Sequence, residues 1–173
     1  MKTSVAMLLF LLLLQGCSQP LEIGQLEIKN DISYSKIEKK PYTGKVVSYF
    51  PGGNGEKRVH EEGFYRAGRK QGTWITWKWD GGRQEAEYEA GKLHGKTLTF
   101  DANDNKTGEY HYQNGRLHGY AYTWNPVNGE MTELSYYKEG VLAYLPSNPY
   151  NEKFPKILNQ ISGEFRDSTS AAQ

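Results

Sequence analysis

The chain has 173 residues, of which 37% are hydrophobic and 13% aromatic, and its formal net charge is +1. This composition is typical of one modest folded domain with appendages and excludes a disordered chain. The near-zero charge excludes a global field that attracts nucleic acid, so we predict no nucleic-acid partner. Tyrosine, with 13 copies, is the commonest aromatic residue, which favours half-buried β-strands.

The first 16 residues have the pattern of a signal peptide. Lys2 gives a positive start, and residues 5–14 are an unbroken apolar run. Ten apolar residues are too few for a bilayer core of about 30 Å, which takes about 20 residues in a helix. A secretory signal is therefore favoured over a transmembrane anchor.

The stretch LLQGC, residues 13–17, resembles the lipobox of bacterial lipoproteins. The resemblance implies cleavage before Cys17, which then carries a diacylglyceryl thioether and an N-acyl chain. Cys17 is the single cysteine of the chain, and lipidation explains an exported thiol that has no internal disulfide partner. Several acyl chains hold a protein firmly on a membrane, and we predict a tether over residues 17–25. Ser18 after the cysteine resembles outer-membrane sorting, which implies a periplasm-facing outer-membrane location.

Two glycines four positions apart, such as Gly91 and Gly95 in GKLHG, recur along the chain at a nearly fixed period. We call the first glycine of each pair the opening glycine and the second the closing glycine. The closing glycine of each pair follows the previous one by 28, 23 and 24 residues. An apolar residue stands three positions later, an aromatic residue five positions later, and a hydroxyl between them. This alternation predicts a strand with one apolar and one wet face. The closing glycines are Gly44, Gly72, Gly95 and Gly119, followed by the apolar column Val47, Ile75, Leu98 and Tyr122 and by the aromatic column Tyr49, Trp77, Phe100 and Trp124.

A second column aligns on the opening glycines, because a tyrosine stands three positions before each. These glycines are Gly68, Gly91, Gly115 and Gly140. These tyrosines are Tyr65, Tyr88, Tyr112 and Tyr137. Each unit is thus predicted as a strand, a polar turn and a returning strand, with Asn-Gly or Asp-Gly pairs that favour tight hairpins. The glycines between units are predicted as structural residues of the next turn. They are Gly68, Gly72, Gly91, Gly95, Gly115 and Gly119.

The segments YTGKVVSYF, AGRKQGTWITW, AGKLHGKTLTF and NGRLHGYAYTW resemble the MORN repeat, in its bacterial YwqK-type variant. The resemblance covers about residues 26–144. It implies an all-β fold, a single-layer twisted meander of antiparallel β-hairpins, which we place at residues 26–146. MORN proteins are also associated with lipid binding, and the YwqK-type family carries a toxin-antitoxin antitoxin label. The last unit departs from the pattern, with Ala143 in the place of the closing glycine.

Residues 147–173 are predicted to form a short helix and a disordered tail. Apolar residues recur there at helical spacing, and we place the helix at residues 155–162, where it covers the open sheet end. Partner binding is the alternative role of this helix. The apolar residues are Phe154, Ile157, Leu158, Ile161 and Phe165.

Five aromatic residues are candidates for partner or ligand binding. Core formation is the competing interpretation, because a sheet must bury one face. Trp74 is singled out because the residues at its place in later units, Thr97 and Ala121, break phase with the predicted core columns. The candidates are Trp74, Trp77, Trp79, Tyr122 and Trp124.

The sequence offers no candidate catalytic constellation, so we predict a non-enzyme without cofactor or metal. His94 and His118 occupy equivalent places, but equivalent places in adjacent hairpins lie about 10 Å apart, too far to share one ion easily. The repeated glutamates Glu62, Glu85 and Glu109 are predicted on a solvated face, near the basic residues that follow the opening glycines.

The leading interpretation is a membrane-anchored, non-catalytic scaffold of the cell envelope that binds an as yet unknown protein partner. An antitoxin or immunity role is what the family resemblance adds. A binding module for cell-wall glycan or lipid headgroups is the alternative, although choline-binding repeats use Gly-Trp pairs that this chain lacks. An envelope hydrolase, the third hypothesis, requires a polar cluster that breaks the repeat.

Overall fold

The computed structural model describes residues 19–51 and 56–143. Contacts divide the chain into an N-terminal unit that ends at Arg69 and a C-terminal unit that begins at Lys70. The signal segment, Cys17 and the predicted helix at residues 155–162 lie outside the described residues. Within the described part, no helix is long and apolar enough to cross a membrane.

The N-terminal unit contains a mixed sheet and a separate hairpin. The parallel pairing of the first strand with the fourth places Leu21 opposite Val46, and the fourth and fifth strands are antiparallel. The second and third strands form a separate two-stranded sheet. The first strand and the turn after it therefore lie inside residues 17–25, which were predicted as a tether. The elements are β1 (Leu21–Glu22), a 3-10 turn (Ile23–Gln25), β2 (Leu26–Lys29), β3 (Ile32–Ser35), β4 (Gly44–Tyr49) and β5 (Val59–Arg66).

The C-terminal unit is an antiparallel meander in which strands that follow one another in the chain are neighbours in one sheet. The predicted all-β architecture of consecutive hairpins is confirmed. The polar turns at Asp80–Gly82, Asn103–Asn105 and Asn128–Gly129 join its strands as predicted. The strands are β6 (Arg69–Trp77), β7 (Arg83–Glu89), β8 (Lys92–Phe100), β9 (Lys106–Gln113), β10 (Arg116–Trp124), β11 (Met131–Lys138) and β12 (Val141–Ala143).

Each opening glycine forms the second half of a two-residue turn. In the turn between β7 and β8, Ala90 has φ 49° and Gly91 has φ 87°, and both values are positive as a type I′ turn requires. The amide of Gly91 donates to the carbonyl of Lys70 at 2.9 Å, and the amide of Gly115 donates to the carbonyl of Leu93 at 2.8 Å. Each turn is thus fastened to the preceding hairpin, which explains the repeat of the glycine.

The closing glycines lie inside strands, which corrects the prediction that they belong to the turns. Gly72, Gly95 and Gly119 have φ values of 70°, 97° and 104° within β6, β8 and β10. Register shifts between Ala86 and Tyr88 and between Leu117 and Ala121 fall beside two of them. A positive φ within a strand is typical of a bulge, where glycine is favoured.

The most buried column is the one that follows each closing glycine by two residues, so the predicted choice of core columns was wrong. Residues three and five places on, apart from Val47, are only half-buried. In the C-terminal unit this column lies in one cross-strand row, in which Trp74 and Thr97 both pair with the buried Ala86. The column comprises Val46 at 1% exposure, Trp74 at 1%, Thr97 at 5% and Ala121 at 6%.

Ala90→Asn is expected to stabilise the protein by about 0.5 to 1 kcal/mol. Alanine at φ 49° is strained, whereas asparagine tolerates the left-handed region and is preferred in this turn. Urea unfolding measures the change as a shift of the midpoint with constant slope. The matched control is Ala102→Asn, at an exposed turn residue whose φ is not positive. An equal gain in both variants would show that the turn geometry is not the cause.

Candidate functional site

Half-exposed aromatic rings gather on one face of the C-terminal unit, at β10 and β11. The ring centroids of Tyr120 and Tyr122 are 6.0 Å apart, and those of Tyr122 and Trp124 are 5.8 Å apart with planes at 20°. Tyr136 meets Tyr120 edge-on at 5.1 Å. Residues two apart on a strand share a face, which places the three β10 rings in one row. We call Tyr120, Tyr122, Trp124 and Tyr136 the aromatic cluster.

The structure brings together only two of the five predicted candidates, Tyr122 and Trp124. Trp77 is on the same face, but four strand spacings separate β6 from β10, about 19 Å. Trp79 lies in the loop after β6 and is 63% exposed. Trp74 is on the opposite face, in the buried column, so its ring is not available at the surface.

Sequence reasoning missed Tyr120 and Tyr136. Tyr120 is 43% exposed and precedes Tyr122 by two residues. The alternation of side chains along a strand was therefore a sufficient signal to place Tyr120 on the same face as Tyr122. The equivalent places in the two preceding units hold Thr73 and Lys96, which made this column look polar. Tyr136 stands one place before the tyrosine column and therefore points to the other face of β11.

Basic side chains lie over aromatic rings beside the cluster. The Lys106 Nζ is 4.2 Å from the centroid of Trp124, and the guanidinium of Arg83 is 3.9 Å from that of Phe100. Such contacts contribute about 0.5 to 1 kcal/mol at exposed sites. Arg83 also donates to Asp104 and Glu85, which raises the pKa of its guanidinium.

Glu109 pairs with two lysines next to the cluster. Its carboxylate lies 2.9 Å from Lys106 Nζ and 3.3 Å from Lys96 Nζ, and its side chain is 15% exposed. Burial raises the pKa of this carboxyl, but hydrogen bonds and charges from Lys106 and Lys96 outweigh burial and hold the pKa below its ordinary value. The prediction that Glu109 lies on a solvated face near the basic residues that follow the opening glycines was wrong. Its side chain is largely buried, and its partners Lys96 and Lys106 stand at other places in the repeat.

Glu109→Gln is expected to lower the free energy of unfolding by about 1.5 kcal/mol at pH 7, because two charged hydrogen bonds weaken. A folded-state pKa below the unfolded value stabilises the protein above about pH 4.3, and this stabilisation is lost as the pH falls through the folded pKa. The deficit of the variant should therefore shrink between pH 7 and pH 3 in urea unfolding. Glu133→Gln removes an exposed carboxylate that accepts from Ser135 and controls for the loss of one charge. A deficit in Glu109→Gln that does not change with pH would contradict this account.

One hydroxyl in the N-terminal unit lies near an imidazole. Ser48 Oγ is 3.5 Å from His60 Nδ1, at the limit of a hydrogen bond. The same place in later units holds hydroxyl pairs, Thr99 with Thr107 at 3.0 Å and Thr123 with Thr132 at 2.8 Å. The repeat therefore explains this contact as a cross-strand structural pair rather than as an activated nucleophile.

The histidines at equivalent places each face a carboxylate of the adjacent turn or strand end. His94 Nδ1 lies 3.5 Å from Glu89, and His118 Nδ1 lies 3.4 Å from Glu139. His111 Nδ1 is 2.8 Å from the carbonyl oxygen of Tyr120. Among residues 19–51 and 56–143, no group of three or more His, Cys, Asp or Glu side chains could hold a metal ion.

The geometry defines an all-β hairpin-repeat chain whose most distinctive surface is aromatic. No protein-family model matches this chain, and no curated protein matches it at a significant level. What the arrangement can do chemically is to bind through ring faces and edges, with lysines and carboxylates at the rim.

Proposed function

We propose that this chain is a lipid-anchored, non-catalytic repeat protein of the bacterial cell envelope that binds another protein through the aromatic cluster. The single observation that carries the proposal is the grouping of Tyr120, Tyr122, Trp124 and Tyr136 on one half-exposed face. Tyrosine and tryptophan are enriched at protein interfaces, where they supply large contact area at low conformational cost.

The charges around the cluster support a partner held by shape and apolar contact. Lys106 and Lys96 share Glu109. Arg83 is paired with both Glu85 and Asp104, so the two groups together carry no net charge. Paired charges produce little net field, so they neither attract nor repel a partner at long range. They remain in place as a polar rim that can form hydrogen bonds around a desolvated aromatic centre.

The lipid anchor determines where this binding would take place. Cys17 stands four residues before Leu21, the first residue of β1, and four residues span at most about 14 Å. A lipidated Cys17 would therefore keep the N-terminal unit close to the membrane surface. The lipobox resemblance supports the anchor and the outer-membrane location, and the MORN and YwqK-type resemblance supports complex formation of an antitoxin or immunity kind.

A glycan- or headgroup-binding module is the second candidate function. The near-parallel rings of Tyr122 and Trp124 favour it, because flat apolar ligands stack on such rings. The two functions differ in what contacts the cluster inside the cell envelope.

Photo-crosslinking in the intact envelope tests the proposal. A photoreactive amino acid replaces Tyr120 in the tagged full chain, and captured species are identified by mass spectrometry. We expect one protein to be enriched relative to a chain with the same probe at Glu133, an exposed residue of the opposite face of β11. A Cys17→Ser chain should lose that enrichment. Capture of peptidoglycan or lipid without a protein would contradict the proposal and favour the second candidate.

A further inference from the structure

The last described strand ends directly beside the aromatic cluster. The register of β11 and β12 pairs Tyr136 with Ala143, the final described residue, and Tyr136 contacts Tyr120 at 5.1 Å. Directly opposite residues of an antiparallel pair point to the same face. The last described residue therefore lies on the sheet edge nearest the cluster, at the level of Tyr136.

The sequence that follows carries the apolar residues that such a face requires. Thirty residues follow Ala143, and among them the stripe defined by Phe154, Ile157, Leu158, Ile161 and Phe165 recurs at helical spacing. The ten residues between Ala143 and Phe154 can span up to about 35 Å. The cluster extends only one strand spacing sideways and four residues along β10, about 5 Å by 14 Å. The ten linking residues are therefore long enough for the stripe to cover the whole cluster.

We propose that residues 150–165 of this same chain dock their apolar stripe on the aromatic cluster. Charge agrees with this occupant, because the segment carries two acidic and two basic residues. The ions beside the cluster also balance, with three basic side chains on three carboxylates. A tethered segment also has an effective concentration of millimolar order, which favours it over a second copy of the chain at ordinary concentrations.

Docking of this segment makes it a competitor for the partner. A partner that uses Tyr120 and Tyr122 must displace the stripe, so its apparent affinity falls by the fraction of chains whose cluster is covered. This regulatory role rests on the function proposed above, whereas the docking itself does not.

Intramolecular photo-crosslinking in the purified full chain tests the docking. With the photoreactive residue at position 120, we expect crosslinks to residues 150–165 that migrate as a monomer. The same probe at position 133 should not yield them. Ile157→Asp with Ile161→Asp in the same chain should reduce the crosslink at least tenfold, because two charges enter the stripe. Asn159→Asp, which adds a charge outside the stripe, should leave it within twofold.

The outcomes separate this inference from the proposed function. A crosslink that joins two chains, the absence of any crosslink to residues 150–165, or a crosslink that survives the double aspartate change would each overturn the docking. Unchanged circular dichroism of the double variant ensures that a lost crosslink reports docking and not unfolding. Partner capture in the envelope without the intramolecular crosslink would reject the docking alone, and the reverse result would reject the proposed function alone.

Discussion

Trp74→Ala is expected to lower the free energy of unfolding by about 3 to 5 kcal/mol, the range measured when large aromatic residues are removed from cores. Trp74 is 1% exposed and is the largest fully buried side chain of the described residues. Tyr88 meets its ring edge-on at 6.2 Å, and Lys70 Nζ lies 3.8 Å from its centroid. An alanine there would leave a cavity beneath both neighbours. Urea unfolding followed by circular dichroism measures the loss.

Trp79→Ala provides the matched control in the same hairpin. The Trp79 side chain is 63% exposed, so its removal should cost no more than about 0.5 kcal/mol. Both variants lose one tryptophan, which keeps the change in composition equal. If the two variants proved equally stable, the burial of Trp74 would be wrong, and its role in ligand binding would again be open.

The repeat period and its glycines were sufficient to predict the meander of consecutive hairpins. A tyrosine three residues before each opening glycine and a polar turn at each hairpin end predicted the order of the hairpins in the C-terminal unit. The parallel first strand and the separate β2–β3 hairpin were not predicted. The buried column was not predictable in the same way, because its members differ in kind: Trp74, Thr97 and Ala121 share a place but not a chemistry. Their burial depends on residues of the neighbouring strands; Tyr110, for example, pairs with both Thr97 and Ala121. The pattern of residues within one strand does not show which residues of the next strand will lie beside it.

The same reason limits how much of the aromatic cluster the sequence could predict. Tyr122 and Trp124 belong to the repeated columns and were identified. Tyr120 replaces a polar residue of the earlier units, and Tyr136 belongs to another strand, so their meeting depends on the register between β10 and β11. Cross-strand neighbours become predictable only when the register is known.

Gly68→Ala is expected to lower the free energy of unfolding by about 3 to 5 kcal/mol, from backbone strain and overpacking together. Gly68 has φ 75°, which alanine adopts only with strain. A Cβ on Gly68 would also meet the Cγ2 of Ile32 and would stand 2.7 Å from the carbonyl oxygen of Ser33. The backbone cannot easily withdraw, because the Gly68 amide donates to Tyr42 at 2.7 Å and its carbonyl accepts from Ser33 at 2.9 Å.

Gly115→Ala separates the two contributions, because Gly115 occupies the same place in an equivalent turn. Its φ is 85°, but the nearest atom to an added Cβ is the Cβ of Lys92 at 3.9 Å, an ordinary contact. This variant should lose only the backbone term, about 1 to 2 kcal/mol. The additional loss of unfolding free energy in Gly68→Ala then measures how firmly the β2–β3 hairpin packs on the turn formed by Ala67 and Gly68. Equal losses would mean that this hairpin yields to the added methyl group. Residues that a repeat makes equivalent in sequence thus differ in energy wherever a non-repeated segment covers one of them.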